Sequence, residues 1–251
     1  MSRFFIKEEQ ICGDLIRIEG ADAHHIARVL RMKEGEELLL CDFFNTEYRT
    51  VIRTLSGDFV EAEIVEKRAG ASETPFPVVL YMALPKGDKM EFIIQKMVEL
   101  GVYEIIPVAM KRCVVKLDDK KAKTKIVRWQ GIAEAAAKQS KRGIVPQIHS
   151  IMTYKDALAY AADMDCKLVP YEMEESLDGA GGMQGTRKML EAIKPGEAVA
   201  VFIGPEGGFD DSEIQSAISH GMKPITLGKR ILRTETAGMT VMAWIMYQLE
   251  E

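Results

Sequence analysis

The stretch that decides the fold is Val199-Ala200-Val201-Phe202-Ile203-Gly204-Pro205-Glu206-Gly207-Gly208-Phe209. Residues 198–203 form a continuous apolar run, the pattern of a buried strand. The run stops at a Gly-Pro-Glu-Gly-Gly turn. Asp210-Asp211-Ser212-Glu213 then places an acceptor at a helix N-cap with a glutamate three residues on, opening a helix to Ser219. Strand, turn and helix in this order are the unit of an α/β domain, and open α/β sheets bind ligands beyond the carboxyl ends of their strands. Two readings of the turn stand together. Its glycines let a ligand approach the backbone, or it is a tight strand–helix connection with no ligand.

Outward from this stretch the alternation continues. Residues 78–82, 103–108, 167–170 and 224–227 read as strands; residues 89–100, 122–140 and 236–249 read as helices. This predicts a mainly parallel sheet over residues 74–251. Residues 1–70 read differently. Leu38-Leu39-Leu40 and the alternating residues 59–65 predict strands, with turns at Lys33-Glu34-Gly35 and Ser56-Gly57-Asp58. Residues 22–31 predict one helix with Ile26, Val29 and Leu30 on a face. Residues 69–77 are small, polar and proline-bearing, and are read as the linker between a small β module and the α/β domain.

The 251 residues are 47% hydrophobic and 28% charged, which excludes a mainly disordered chain. No apolar run is long enough for a membrane span, and MSRFFIKEEQ does not read as a secretory leader. Cys12, Cys41, Cys113 and Cys166 are far apart and form no CxxC pair, which predicts reduced thiols in a cytoplasmic protein. His24, His25, His149 and His220 show no metal-ligand spacing with them, so no metal site is expected. Formal net charge is −5, yet residues 111–142 carry eleven basic and three acidic side chains, a local +8 that leaves −13 for the rest. That asymmetry suits a phosphate-binding surface, although the lysines of 120–125 are read as a solvated helix face. Of the adjacent His24 and His25, at least one is expected to be structural.

Two more segments follow strands. Leu227-Gly228-Lys229-Arg230-Ile231-Leu232-Arg233-Thr234-Glu235-Thr236-Ala237 is irregular, and irregular loops on rigid scaffolds carry function; alternatively Thr234 or Thr236 simply caps the last helix. Leu84-Pro85-Lys86-Gly87-Asp88-Lys89 carries two lysines, read as solvated. Residues 179–183 lack Gly-x-Gly-x-x-Gly spacing and a preceding strand, and are read as a loop. The same lack after the first α/β strand argues against a nicotinamide-dependent oxidoreductase. An RNA-binding assembly protein without catalysis is the other alternative.

Taken together these motifs resemble one family. Arg3-Phe4-Phe5, His24-His25 with Val29-Leu30-Arg31, Leu84-Pro85-Lys86-Gly87 with residues 96–101, Glu134 with Gln139-Ser140 and Val145-Pro146, residues 203–209 and residues 227–237 occur in its order. The chain resembles the RsmE-type 16S ribosomal RNA uridine-N3 methyltransferases of the SPOUT superfamily over nearly its whole length. Lys138 and Lys141 depart from the pattern, standing where an acidic residue and a glycine are expected. The resemblance implies a PUA-like β-barrel for RNA binding and an α/β domain whose last segments thread a trefoil knot. It implies S-adenosylmethionine as cofactor, held by Leu84, Ile203, Gly204, Pro205, Glu206, Gly207, Leu227, Gly228, Ile231, Leu232, Thr234 and Thr236. It also implies 16S rRNA in the small subunit as partner and a homodimer formed through the C-terminal domain, which the apolar last helix suits. A buried core helix would read the same way. RNA contacts are expected from Arg3, His25, Arg28, Arg31, Lys86, Gln139, Lys141 and Arg142.

Chemistry frames the catalytic candidates. Neutral uridine carries a proton at N3 that must leave before or during attack on the methyl group. A cation, Arg233 or Lys86, would favour the anionic base; Glu206 or Glu235 would accept the proton. The sequence leaves these open, with Arg233 as the electrostatic candidate and Glu235 as the weaker base candidate.

Overall fold

A computed structural model describes residues 3–74, 76–171 and 182–249. The chain divides into two compact units, Met1–Glu73 with Ala137–Val145, and Thr74–Ala136 with Pro146–Glu251.

The first unit is a six-stranded sheet. Its strands are β1 (Arg3–Phe5), β2 (Ile11–Cys12), β3 (Leu15–Glu19), β4 (Glu37–Cys41), β5 (Thr46–Leu55) and β6 (Phe59–Ala69), ordered β1-β4-β5-β6-β3-β2. Only β1 and β4 are parallel. Period-two patterning sends Ile16 and Ile18 of β3, and Val60 and Ala62 of β6, into one core with Leu38 and Leu40. Register shifts in the β5–β6 ladder at Arg49/Thr50 and Ile52/Thr54 bend the long hairpin.

The helix expected over 22–31 begins earlier and ends differently. α1 spans Gly20–His24 and continues as a π turn over His25–Val29, closed by Leu30 N–H donating to His25 O. The wider turn rotates the end of the helix, so Ala23 and Ile26 are buried while Val29 is 61% exposed. Arg31 ends the element with a left-handed backbone, φ 53°.

Residues 137–145 belong to this unit because the β module holds them through buried charge. The Glu73 carboxylate accepts from the Arg142 guanidinium at 2.5 Å, from Gly143 N–H at 2.7 Å and from Ile144 N–H at 3.3 Å. Arg3 pairs with Glu47 and donates to the Lys141 carbonyl. A Cβ at Gly143 would run into the Asn45 side chain. The two departures noted in the sequence find their reasons here. Lys138 pairs with Asp22 at 3.1 Å, and Lys141 has φ 60°, a conformation that favours glycine. Arg3 and Arg142, expected to contact RNA, are both engaged within this unit, Arg3 with Glu47 and Arg142, 5% exposed, with Glu73.

The second unit is an all-parallel sheet. In chain order it runs β7 (Val78–Ala83), α2 (Lys89–Glu99), β8 (Glu104–Ala109), α3 (Asp119–Ser140), β9 (Gln147–Ile148), β10 (Met152–Thr153), α4 (Tyr154–Tyr160) and β11 (Cys166–Pro170). It continues with α5 (Gly182–Glu191), β12 (Val199–Ile203), α6 (Asp211–Ser219), β13 (Lys223–Ile225) and α7 (Thr234–Leu249). The order is β10-β8-β7-β12-β11-β13, with β9 beside the start of β8. Every residue of β7 and β12 is buried, and the Tyr81 and Phe202 rings stack at 4.1 Å between them. α7 lies on β12 and α2, where a Cβ at Gly238 would touch Met97 at 3.4 Å.

Several details correct the sequence reading. Of the glycine-rich stretch, residues 179–181 lie outside the described residues, while Gly182 and Met183 open α5, a helix not expected. β13 ends at Ile225, releasing Thr226 and Leu227 into the following loop. α7 starts two residues before the expected Thr236, because Ala237 N–H closes its first turn on Arg233 O. Val241, Met242, Ile245 and Met246 are buried within this unit, so the apolar face of α7 is core, while Tyr247 is 88% exposed.

The Glu73 cluster is testable by urea unfolding. Glu73→Leu should destabilise the β unit by about 3 kcal/mol, since it removes the carboxylate that a buried guanidinium and two amides share. Glu73→Gln, which still offers the amides an acceptor, should cost less. Equal losses would contradict the charge-pairing account.

Candidate functional site

Because all strands of the second unit are parallel, the loops after β7, β11, β12 and β13 emerge on one edge of its sheet. From β7 the chain passes to β8 on one side, while β12 returns on the other. The β7–β12 junction is therefore a topological switch point, where a crevice opens. A cleft of about 610 Å³ lies there. Its walls are residues 203–206 with Gly208 and Phe209 on one side, residues 231–234 on the other, and Lys89, Arg112, Pro170 and Tyr171 around the rim. A smaller hollow of about 130 Å³ is lined by residues 225–228 and shares Tyr171, Ile231 and Leu232 with it.

Three segments far apart in sequence are tied together around the cleft. Thr234, the first residue of α7, donates its hydroxyl to Gly204 O at 2.5 Å. Lys89, at the start of α2, places its ammonium 3.3 Å from Glu206 and 3.4 Å from Glu235. Lys86 N–H donates to the same Glu206 oxygen at 3.1 Å. The turn itself closes through Gly208 N–H to Pro205 O at 2.8 Å, with Gly208 at φ 70°. Gly204 has a steric reason: a Cβ there would stand 2.9 Å from the Phe209 ring.

The loop after β8 braces the same turn. Arg112 donates to Gly207 O at 3.3 Å and pairs with Asp210 at 3.6 Å. Asp210 caps α6, and with Glu213 it forms the reciprocal capping box expected from the sequence. The buried Glu213 carboxylate also accepts from Lys111 N–H at 2.8 Å. The Ser212 hydroxyl and the Lys111 ammonium hold the Asp210 carboxyl down to about 2. Burial pushes the Glu206 carboxyl up, but the Lys86 N–H, its own N–H and the Lys89 ammonium outweigh this and hold it below the ordinary carboxylate range.

Ile203, Gly204, Pro205, Glu206, Ile231, Leu232, Arg233 and Thr234 all line the larger cleft, and Leu227 and Gly228 line the hollow beside it. Leu84 is buried beneath, its N–H donating to Val108 O, and Gly207, Thr236 and Glu235 do not line either space. Thr234 does not cap its helix by folding back; its hydroxyl crosses to Gly204. Lys89 was expected to be solvated and is instead the bridge between two carboxylates. Arg112, Pro170 and Tyr171 are not among the residues expected at the site from sequence, and Phe209 is quoted there only as the end of the turn motif. The end of strand β11 was the available signal for Pro170 and Tyr171. In the β unit, His25, Arg28, Arg31, Gln139 and Lys141 are exposed, with the His25 ring edge-on to Phe4 at 5.8 Å; Lys86 is exposed in the second unit.

Comparison with known proteins adds independent findings. A family model described as an RNA methyltransferase domain matches residues 72–246, and one described as an RNA methyltransferase PUA domain matches residues 18–65. The chain is 37% identical to ribosomal RNA small subunit methyltransferase E of Bacillus subtilis, over 100% of this chain and 98% of that one. Identity is also 37% to the protein of the same name from Mesomycoplasma hyopneumoniae, over 95% and 96% of the two chains. The crystal structure of a ribosomal RNA small subunit methyltransferase E from Neisseria gonorrhoeae, bound to S-adenosyl methionine, superposes with a TM-score of 0.80 at 34% identity, covering 98% and 97%.

The Glu206 environment predicts a pH signature. A carboxyl whose folded pKa is depressed contributes stability above its unfolded value, near ~4.3, and loses it as pH falls through the folded value. Glu206→Gln should therefore lower stability by about 1 kcal/mol at pH 7, and urea unfolding should show the gap closing below about pH 4. A gap that stays constant down to pH 3 would remove the ionised carboxylate from the account.

Proposed function

The chain belongs to the family of ribosomal RNA small subunit methyltransferases E, with a PUA domain ahead of its RNA methyltransferase domain, and on that premise we propose that it transfers the methyl group of S-adenosylmethionine to N3 of a uridine in 16S rRNA. The observation that carries this reading is the meeting of residues 203–209 and 231–234 around one cleft at the switch point of the sheet.

The residues present fit such a donor. A space of about 610 Å³ is in the range of small-molecule sites. Ile203, Phe209, Ile231 and Leu232 give it apolar walls for an adenosyl group, and the glycine-bearing turn offers backbone polar groups. Ile231 is 83% exposed, an apolar side chain at the mouth with no protein cover. Bound there, S-adenosylmethionine supplies an electrophilic methyl group on a sulfonium. The remaining task is alignment, since an in-line displacement gains rate chiefly from positioning.

Uridine must also give up its N3 proton. Arg233 lines the cleft, is exposed, and stabilises the anionic base as it forms. Glu206 and Glu235 share the Lys89 ammonium, and the Glu206 carboxyl is held below the ordinary carboxylate range, which makes it the weaker proton acceptor. Glu235 is then the carboxylate that takes the N3 proton, and Arg233 has the electrostatic role. A base inside folded RNA is reached by extrusion from its stack. His25, Arg28, Arg31, Gln139, Lys141 and Lys86 are the exposed groups that we assign to the RNA. We take the chain from β12 through α7 to thread the trefoil knot of this superfamily, and the protein to work as a cytoplasmic homodimer through its C-terminal unit, which the exposed Tyr247 on α7 supports.

With small subunits from a strain lacking this activity, the parent should methylate one uridine at N3. Arg233→Ala should slow the single turnover about 100-fold or more while leaving donor affinity within about threefold. Equal turnover would remove Arg233 from the chemistry. Affinity for 16S rRNA should fall steeply between about 50 and 200 mM salt; a flat response in a filter-binding titration would count against the assigned cations.

A further inference from the structure

Lys89 sits where a solvated lysine was expected, yet its ammonium lies between two carboxylates from different segments. Glu206 belongs to the turn after β12, and Glu235 to the first turn of α7. Glu206 lines the cleft, and Glu235 follows directly on Thr234, which lines the other wall. We propose that Lys89 is a positioning residue of this site: by neutralising Glu206 and Glu235 together it fixes the distance between the walls that receive the methyl donor. The inference rests on the reading of the cleft as the S-adenosylmethionine site.

The argument is one of charge and reach. Both carboxylates lie within 3.4 Å of one nitrogen, so without it two like charges stand close together where the turn after β12 meets the start of α7. The turn carrying Glu206 is itself held by Gly208 N–H on Pro205 O and by Arg112 on Gly207 O, so the repulsion acts on the Glu206 side chain and on the start of α7. The Thr234 hydroxyl bond to Gly204 ties the backbones of the two segments, and Lys89 ties their carboxylates. An ordinary surface ion pair contributes little. This one acts because its loss leaves two carboxylates without their shared cation beside the place where the donor binds. Lys89 thus acts through the two glutamates and needs no contact with the reacting atoms.

The test is calorimetric titration of S-adenosylmethionine into the full chain and its variants. Lys89→Met should weaken binding about tenfold, the equivalent of about 1.4 kcal/mol. Lys89→Arg, which keeps the charge, should stay within about threefold of the parent. Adding Glu235→Gln to Lys89→Met should restore affinity to within about threefold, because the repulsion is gone. A Lys89→Met variant that binds as the parent does overturns the proposal. So does a weakening that Glu235→Gln fails to relieve, which makes Lys89 a direct donor contact or a general stability element. Should Lys89→Met not fold, recovery of folding and donor binding in the double variant supports the proposal, and failure of the double variant to fold or bind overturns it. A parent chain that binds no S-adenosylmethionine defeats the reading of the cleft instead, and is distinguished by that titration alone.

Discussion

One hydroxyl joins the two walls of the cleft. Thr234 donates to the carbonyl of Gly204, thirty residues away in sequence, and the bond is made at the carboxyl end of the central strand β12. The parallel sheet makes this possible, since it delivers the ends of β12 and β13 to the same edge. Gly204 leaves β12 with no side chain, so Phe209 can fold back over it, and the chain then turns away to open α6. The crevice is thus a consequence of chain order in the sheet, held at one point by a short hydrogen bond.

Much of this was legible from residue order. The apolar run before Gly204, the capping box at Asp210 and Glu213, and the irregular segment after β13 each carry a local signature; the first two sit where their signatures placed them, and the third is irregular over residues 226–233 and helical from Thr234. What was not legible depends on partners far along the chain. Lys89 meets Glu206 and Glu235, which are 117 and 146 positions away, and no local pattern marks a lysine that will be bridged from one that will be solvated. The same holds for Arg3 and Arg142. Both read as cations available to a phosphate, and both are spent inside the β unit on Glu47 and Glu73. The π turn at His25–Val29 escaped because its period differs from the helical one by only one residue per turn, enough to expose Val29.

The basic stretch 111–142 gives a related lesson about charge. Its local excess suggested a surface for a polyanion. Much of that excess is matched by carboxylates from elsewhere: Lys111 and Arg112 by Asp210, Arg128 by Glu91, Lys138 by Asp22 and Arg142 by Glu73. Residues distant in sequence supply the acid that a window count omits. Counting charges over a window therefore measures supply, while availability depends on which of them the fold has already committed. Lys141 and Gln139 remain exposed at the end of this stretch.

The closeness of Gly204 to Phe209 also limits how this chain can change at that point. Any side chain at position 204 collides with the aromatic ring, so the floor of the crevice cannot be reshaped by one replacement. A smaller residue must arrive at 209 first, and only then does 204 become free to vary. Reshaping of this corner of the cleft is channelled through an ordered pair of changes, and an engineer who wished to widen it would begin at the phenylalanine.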